Sequence, residues 1–177
     1  MTKIFIETPR LYLREWKESD LEPYAALNAD KEVMEFFPSM LTAEESHAQI
    51  GRITEHLEKY GFTLFAAERK DNGHFIGFTG LAHAKFESEF TPCIEIGWRL
   101  SKANWGQGFA TEAALACLEF GFDQLDLKEV YSFTSVHNKR SEHVMKKIGM
   151  YKAGEFDHPL VPDESHLKRH ALYRIER

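Results

Sequence analysis

The chain has 177 residues, enough for one domain with a sizeable core, and its 43% hydrophobic and 28% charged content is ordinary for a folded protein. Its formal net charge of −6 argues against a general nucleic-acid binder and leans toward cationic partners. No run approaches the ~18 apolar residues of a membrane span, Glu7 and Pro9 stand where an apolar leader would be, and Cys93 and Cys117 form neither a Cys-x-x-Cys motif nor a disulfide pattern. The expectation is a cytoplasmic protein with no metal, no membrane contact and no nucleic acid.

In chain order, residues 10–16 alternate Leu11 and Leu13 against Arg10, Tyr12 and Arg14 and read as the first strand. Ser19 or Asp20 then caps a helix with Leu21, Tyr24, Ala25 and Leu27 on one side. Residues 33–37 read as a helical turn stopped by Pro38. Thr42 and Glu45 have capping-box spacing, opening a helix to about Tyr60 with Ile50, Ile53 and Leu57 buried and Gly61 at its end. Strands are predicted at 62–68 and 74–82 about a turn at 70–73, and again at 93–100. A helix at 107–122, a strand at 130–136, a helix at 138–148 and closing strands at 150–157 and 169–175 complete the chain. No repeat, low-complexity tract or linker interrupts it, so residues 1–177 read as one α+β domain, a sheet with helices on its faces.

The stretch 95–122 organises the rest. Ile94, Ile96, Trp98 and Leu100 alternate with Glu95, Gly97 and Arg99 as a strand requires, and from Gln107 the apolar residues switch to helical spacing. Gly106 and Gly108 stand at the junction, where missing Cβ atoms let backbone N–H groups turn toward a ligand. A helix N-terminus adds about four unpaired N–H donors and roughly +0.5 charge, which suits phosphate.

Trp105-Gly106-Gln107-Gly108-Phe109-Ala110 resembles the pyrophosphate loop of the GNAT acetyltransferase superfamily, whose signature is Gln/Arg-x-x-Gly-x-Gly/Ala. Asn138-Lys139-Arg140-Ser141, leading through a helix to Gly149-Met150, resembles that superfamily's second motif. With the opening run from Thr8 to Arg14 and Ser19-Asp20-Leu21, the similarity is closest to the branch of ribosomal-protein N-terminal acetyltransferases and covers nearly the whole chain. The resemblance implies a mostly antiparallel mixed sheet that splays between its fourth and fifth strands, with acetyl-CoA in the opening. It implies main-chain contacts to pantetheine from Trp98, Arg99 and Leu100, a diphosphate wrapped by Trp105, Gly106, Gln107, Gly108, Phe109, Ala110 and Thr111, and Asn138 on the far side of pantetheine. Glu112 is expected to point away from the phosphates, and Trp105 to act through its backbone while its indole packs beneath the loop.

Acetylating an amine requires the neutral amine, so a group must take its proton. At pH 7 deprotonation costs about 1.4 kcal/mol for an α-amine and about 4.6 for a lysine. Glu95 is the candidate base, set beside Gly97 where acceptor and thioester should meet; an ion pair with Arg99 is the competing role. For the leaving thiolate, the tyrosine common in the superfamily is replaced by Met145, which cannot donate, and Ser141 is the substitute implied by the ribosomal-protein branch, against a plain helix-start serine. Phe36, Phe37 and Met40 are either a gate over the acceptor or core. His166 and His170 have helical metal-pair spacing but fall on loop and strand, while His158, Arg169 and Tyr173 border the acceptor pocket or cover the sheet edge. Lys139 and Arg140 oppose the dipole of the helix they begin, which a cofactor phosphate or simple solvation would explain.

The reading is therefore an N-acetyltransferase using acetyl-CoA, working by direct attack of a primary amine through a tetrahedral intermediate on a protein N-terminus or a small molecule, as monomer or homodimer. A non-catalytic acyl-CoA sensor is the alternative. A dinucleotide enzyme fits poorly, because Thr111 occupies the third glycine position and the loop follows several strands.

Overall fold

The computed structural model describes residues 2–177. Its elements are β1 (Ile4–Glu7), β2 (Leu11–Arg14), α1 (Leu21–Asn28), α2 (Ala43–Tyr60), β3 (Leu64–Arg69), β4 (Phe75–Ala84), β5 (Cys93–Leu100), α3 (Phe109–Asp123), β6 (Glu129–Ser135), α4 (Lys139–Lys147), β7 (Tyr151–Asp157) and β8 (Arg169–Glu176). The strands form one sheet in the order β1-β2-β3-β4-β5-β6-β8-β7. Every neighbouring pair is antiparallel except β5 and β6, which run parallel.

The α+β architecture follows the expectation, with one strand added at the start. Residues 4–7 pair with β2, so the expected first strand is the second, and the splay falls between the fifth and sixth strands of the full count. Thr42 and Glu45 do form a reciprocal capping box at α2, and Gly61 ends that helix in the left-handed region at φ 77°. Asp20 departs from its expected capping role. Its carboxylate accepts two hydrogen bonds from the buried Arg14 guanidinium, at 2.7 and 2.9 Å, and one from the Lys17 amide. A fixed cation outcompetes the weaker N–H donors of a helix start.

Two apolar clusters lie on opposite sides of the sheet. The larger packs α3 and Met145 of α4 against Leu11, Leu13, Phe65, Ile76, Leu81 and Ile96. The smaller gathers Tyr24, Leu27, Val33, Met34 and Ile50 over Phe78, and Trp105 touches both. A sheet covered on both faces can admit a ligand only where two strands part, and β5 and β6 do so.

Candidate active site

β5 and β6 keep a single paired position, Glu95 opposite Tyr131. Beyond it toward Leu100 the strands diverge, and a cleft of about 700 Å³ opens, lined by β5, β6, the start of α3, α4 and the turns between α1 and α2. The phase of the ladder decides which backbone groups face the cleft. The Ser101 N–H donates to Ile76 O, and Leu100 stands opposite Gly77, so Arg99, Gly97 and Glu95 pair with β4. Even-numbered residues therefore face β6. Ile96 O accepts from Ser132 Oγ at 2.9 Å and Leu100 O from the Trp105 indole at 2.8 Å, which leaves the N–H and C=O of Trp98 and the N–H of Leu100 along the open edge. Arg99 thus falls out of the expected main-chain set, because its own backbone is turned to β4.

The glycine turn is held in the form its sequence demands. Gly106 and Gly108 have φ of 70° and 81°, a region costly for any residue with a Cβ. No side chain caps α3, and the helix ladder begins when the Glu112 N–H reaches Gly108 O. The helix accordingly starts at Phe109, two residues later than expected, and the preceding amides are left for a guest. Support comes from the turn between β1 and β2. Arg10 Nη1 donates to Gln107 O at 2.9 Å, drawing that carbonyl to the back of the turn, and the guanidinium lies 4.4 Å from the Phe109 ring centroid. Glu112 points away, as expected, accepting from Thr8 Oγ1, the Arg10 amide and Arg10 Nε. Partial burial pushes the Glu112 carboxyl up, but these donors outweigh it and hold it below the usual range.

At α4, Asn138 is first a helix cap. Its Oδ1 accepts from the Ser141 N–H at 3.1 Å and its Nδ2 donates to Thr134 Oγ1 at 3.0 Å, leaving one amide N–H. Ser141 is thereby relieved of capping, and its residue lines the cleft. Arg140 also lies on the cleft wall. Its guanidinium stacks 4.4 Å from the Trp105 ring and Nη2 donates to Glu35 at 2.9 Å, while Trp105 itself lines the cleft and is held by its indole N–H to Leu100 O.

Glu95 and Arg99 do not form a pair. Arg99 Nη1 donates to Asn28 Oδ1 at 2.7 Å, and its guanidinium carbon lies 4.1 Å from the Phe37 ring and 5.4 Å from Phe78. Glu95 lines the cleft, and burial away from cations pushes its carboxyl up to about 8. Four strand residues separate the two side chains by roughly 13 Å at the backbone, a span that a sequence pattern conceals and geometry does not.

The acetyltransferase (GNAT) domain profile matches residues 10–151. The chain belongs to the GNAT acetyltransferase family. It is 32% identical to the Bacillus subtilis N-acetyltransferase YnaD, over 85% of each chain. Its fold superposes on a GNAT-family acetyltransferase from Bacillus anthracis with a TM-score of 0.80 at 25% identity, covering 99% of this chain and 98% of the other. An apo structure of RimL, a ribosomal L7/L12 α-N-protein acetyltransferase, gives a TM-score of 0.81 at 15% identity over 100% and 96% of the two chains, a likeness of fold alone. The protein is an acetyl-CoA-dependent N-acetyltransferase.

Within this GNAT domain, the remaining candidates from the sequence are placed. Phe36 and Phe37 line the cleft, while Met40 is exposed and lies off it. His158 and His170 lie with ring centroids 4.9 Å apart and planes inclined at 49°, among Phe86, Phe133 and Phe156; desolvation chiefly lowers the His158 pKa to about 4. Arg169 pairs with Glu155 and Asp157, and Tyr173 donates to Glu142, so none of His158, Arg169 and Tyr173 borders the cleft. Arg10 went unassigned in sequence because its role rests on residues about a hundred positions away. A basic residue after Thr-Pro gives no local sign of its partner.

Proposed function

We propose that the cleft between β5 and β6 transfers the acetyl group of acetyl-CoA to a primary amine by direct attack, with Glu95 accepting the amine's proton. The unpaired, partly buried Glu95 carboxyl at the last paired position of the parting strands carries this reading. A carboxyl pushed up to about 8 matches an α-amine near 8, so the proton passes between them at little cost, and about a tenth of the carboxyl is ionised at pH 7.

The residues present fit the cosubstrate. The amides from Gly106 to Thr111, at an uncapped helix start with two left-handed glycines, suit a diphosphate. The open edge at Trp98 and Leu100 suits the amides of pantetheine as an added strand would, and the remaining N–H of Asn138 faces the same task. In the reaction the amine nitrogen bonds to the thioester carbonyl carbon, the C–S bond breaks, and the proton lost by nitrogen goes to Glu95. The Trp98 N–H is the free main-chain donor for the oxyanion, and the Ser141 hydroxyl, or water, protonates the departing sulfur in place of the missing tyrosine.

Mixing protein, acetyl-CoA and a panel of amines while following free thiol tests the reading. Acceptor-dependent thiol release that falls at least tenfold in Glu95→Gln is expected. Tight CoA binding with no release from any amine or N-terminal peptide would leave an acyl-CoA sensor.

A further inference from the structure

Arg99 is a buried cation with no counter-ion. Only 8% of the residue is exposed, and among the described residues no carboxylate pairs with it. Among the described residues its sole side-chain hydrogen bond is to the neutral Asn28. Asn28 is itself locked, since its Nδ2 donates to Ser46 Oγ at 3.0 Å and Ser46 Oγ donates to Thr42 O at 2.8 Å. Arg99 Nε is buried without any partner. The rings of Phe37 and Phe78 fix the guanidinium further. What they leave unpaired are Nε, which is shielded from the cleft, and Nη2, which is not and can donate to a carboxylate. A guanidinium stays charged in proteins, and leaving one buried and unpaired is costly unless something supplies the anion.

The surroundings say what that anion belongs to. Arg99 lines the cleft on the same strand face as Glu95, four residues along, with Val33, Phe36 and Leu64 as apolar walls. Gln49 lines the same wall and uses its Oε1 to accept from Tyr24 at 2.8 Å, so its amide nitrogen adds another donor. We propose that the acceptor is an amino acid with an apolar side chain, its carboxylate held by the Arg99 guanidinium through Nη2 and its amine turned toward the opening between β5 and β6. This assignment rests on the acetyl-transfer reading above for the fate of the amine, but carboxylate binding stands apart from turnover. It also disfavours polyamines, whose second cation would meet Arg99.

Two measurements decide it. In the first, phenylalanine, phenylalaninamide and phenethylamine, with methionine and its amide, are compared as acceptors at fixed acetyl-CoA. The free acids are expected to exceed their amides in kcat/KM by at least tenfold, and Arg99→Gln to bring each pair within threefold. In the second, N-acetylphenylalanine and its amide are titrated by calorimetry into protein saturated with CoA, which needs no catalysis. The acid is expected to bind at least tenfold more tightly to the native protein and no better than the amide to Arg99→Gln. Arg99→Lys, which keeps the charge but not the guanidinium, is expected to fall between the two.

Acceptors turned over with no preference for the carboxylate would overturn the proposal and leave acetyl transfer intact. Carboxylate binding that depends on Arg99 without turnover of any amine would uphold the carboxylate site while removing the catalytic reading and, with it, the role of the bound amino acid as acceptor. A large loss of CoA affinity in Arg99→Gln, with the melting temperature unchanged, would assign Arg99 to the cosubstrate and overturn the proposal. If Arg99→Gln does not fold, the acid–amide comparison on native protein decides alone, equal binding being the adverse result.

Discussion

Arg10 and Glu112 join the turn between β1 and β2 to the first turn of α3: Arg10 Nε donates to Glu112 at 2.6 Å while Nη1 of the same guanidinium holds Gln107 O. One side chain thus sets both the helix start and the carbonyl whose withdrawal leaves neighbouring amides facing outward. The contact is structural in its bonds and functional in its consequence.

Arg10→Ala is therefore expected to raise the KM for acetyl-CoA by about tenfold with little change in the KM for acceptor. The stability loss should stay near 1 kcal/mol, because Arg10 is half exposed and exposed ion pairs contribute about that or less. Initial rates at varied acetyl-CoA, with a thermal melt alongside, measure both. Equal loss on both substrates would reduce Arg10 to a general scaffold residue.

Gly106→Ala separates conformation from occupancy. A Cβ there meets no atom within 4 Å, so the protein itself has room, and only the left-handed φ of 70° is strained, at about 1–2 kcal/mol. The variant should fold, melt a few degrees lower, and bind CoA at least tenfold more weakly, since the strain falls on the turn whose amides are proposed to hold the diphosphate. Unchanged calorimetric affinity would place the diphosphate elsewhere.

Glu95→Gln should trade activity for stability in a pH-dependent way. Below about 4.5 the carboxyl is protonated in both folded and unfolded chains and costs nothing. As pH rises toward about 8 the unfolded chain releases its proton first, so the native protein loses stability across that window. Glutamine removes the loss. The two proteins are expected to melt alike at pH 4.5, and the variant to melt several degrees higher at pH 8. Melts at half-unit pH steps test it; a gap independent of pH would mean that the Glu95 carboxyl is not raised by its surroundings in the folded protein.

The sequence shows local decisions and hides remote ones. The Thr42–Glu45 box, the Gly61 stop and the glycine turn at Gly106 and Gly108 are legible because each is settled within a few residues. β1 escaped notice because four residues with an exposed Ile4 offer too short an alternation, and only pairing with β2 makes them a strand. Insertion of β8 between β6 and β7 is likewise a choice of partners, not of propensity. At the site, Glu95 and Arg99 look like a pair on paper because both occupy one strand face. Asn28, 71 residues away, takes the arginine instead and leaves the carboxylate alone.

Arg140 offers a last test of the cleft mouth. It stacks on Trp105 and meets Glu35 across the opening, both partners more than half exposed. An exposed pair of this kind contributes at most about 1 kcal/mol, whereas a phosphate next to the glycine turn would draw the guanidinium more strongly. Arg140→Ala should raise the acetyl-CoA KM about tenfold, more at low salt than at high. Glu35→Gln should lower it two- to threefold by freeing Arg140. Opposite signs for the two variants are the diagnostic result, measured as initial rates at two ionic strengths. If both variants weaken acetyl-CoA equally, the Glu35–Arg140 contact is itself part of the assembled site, and Arg140 has no separate hold on phosphate.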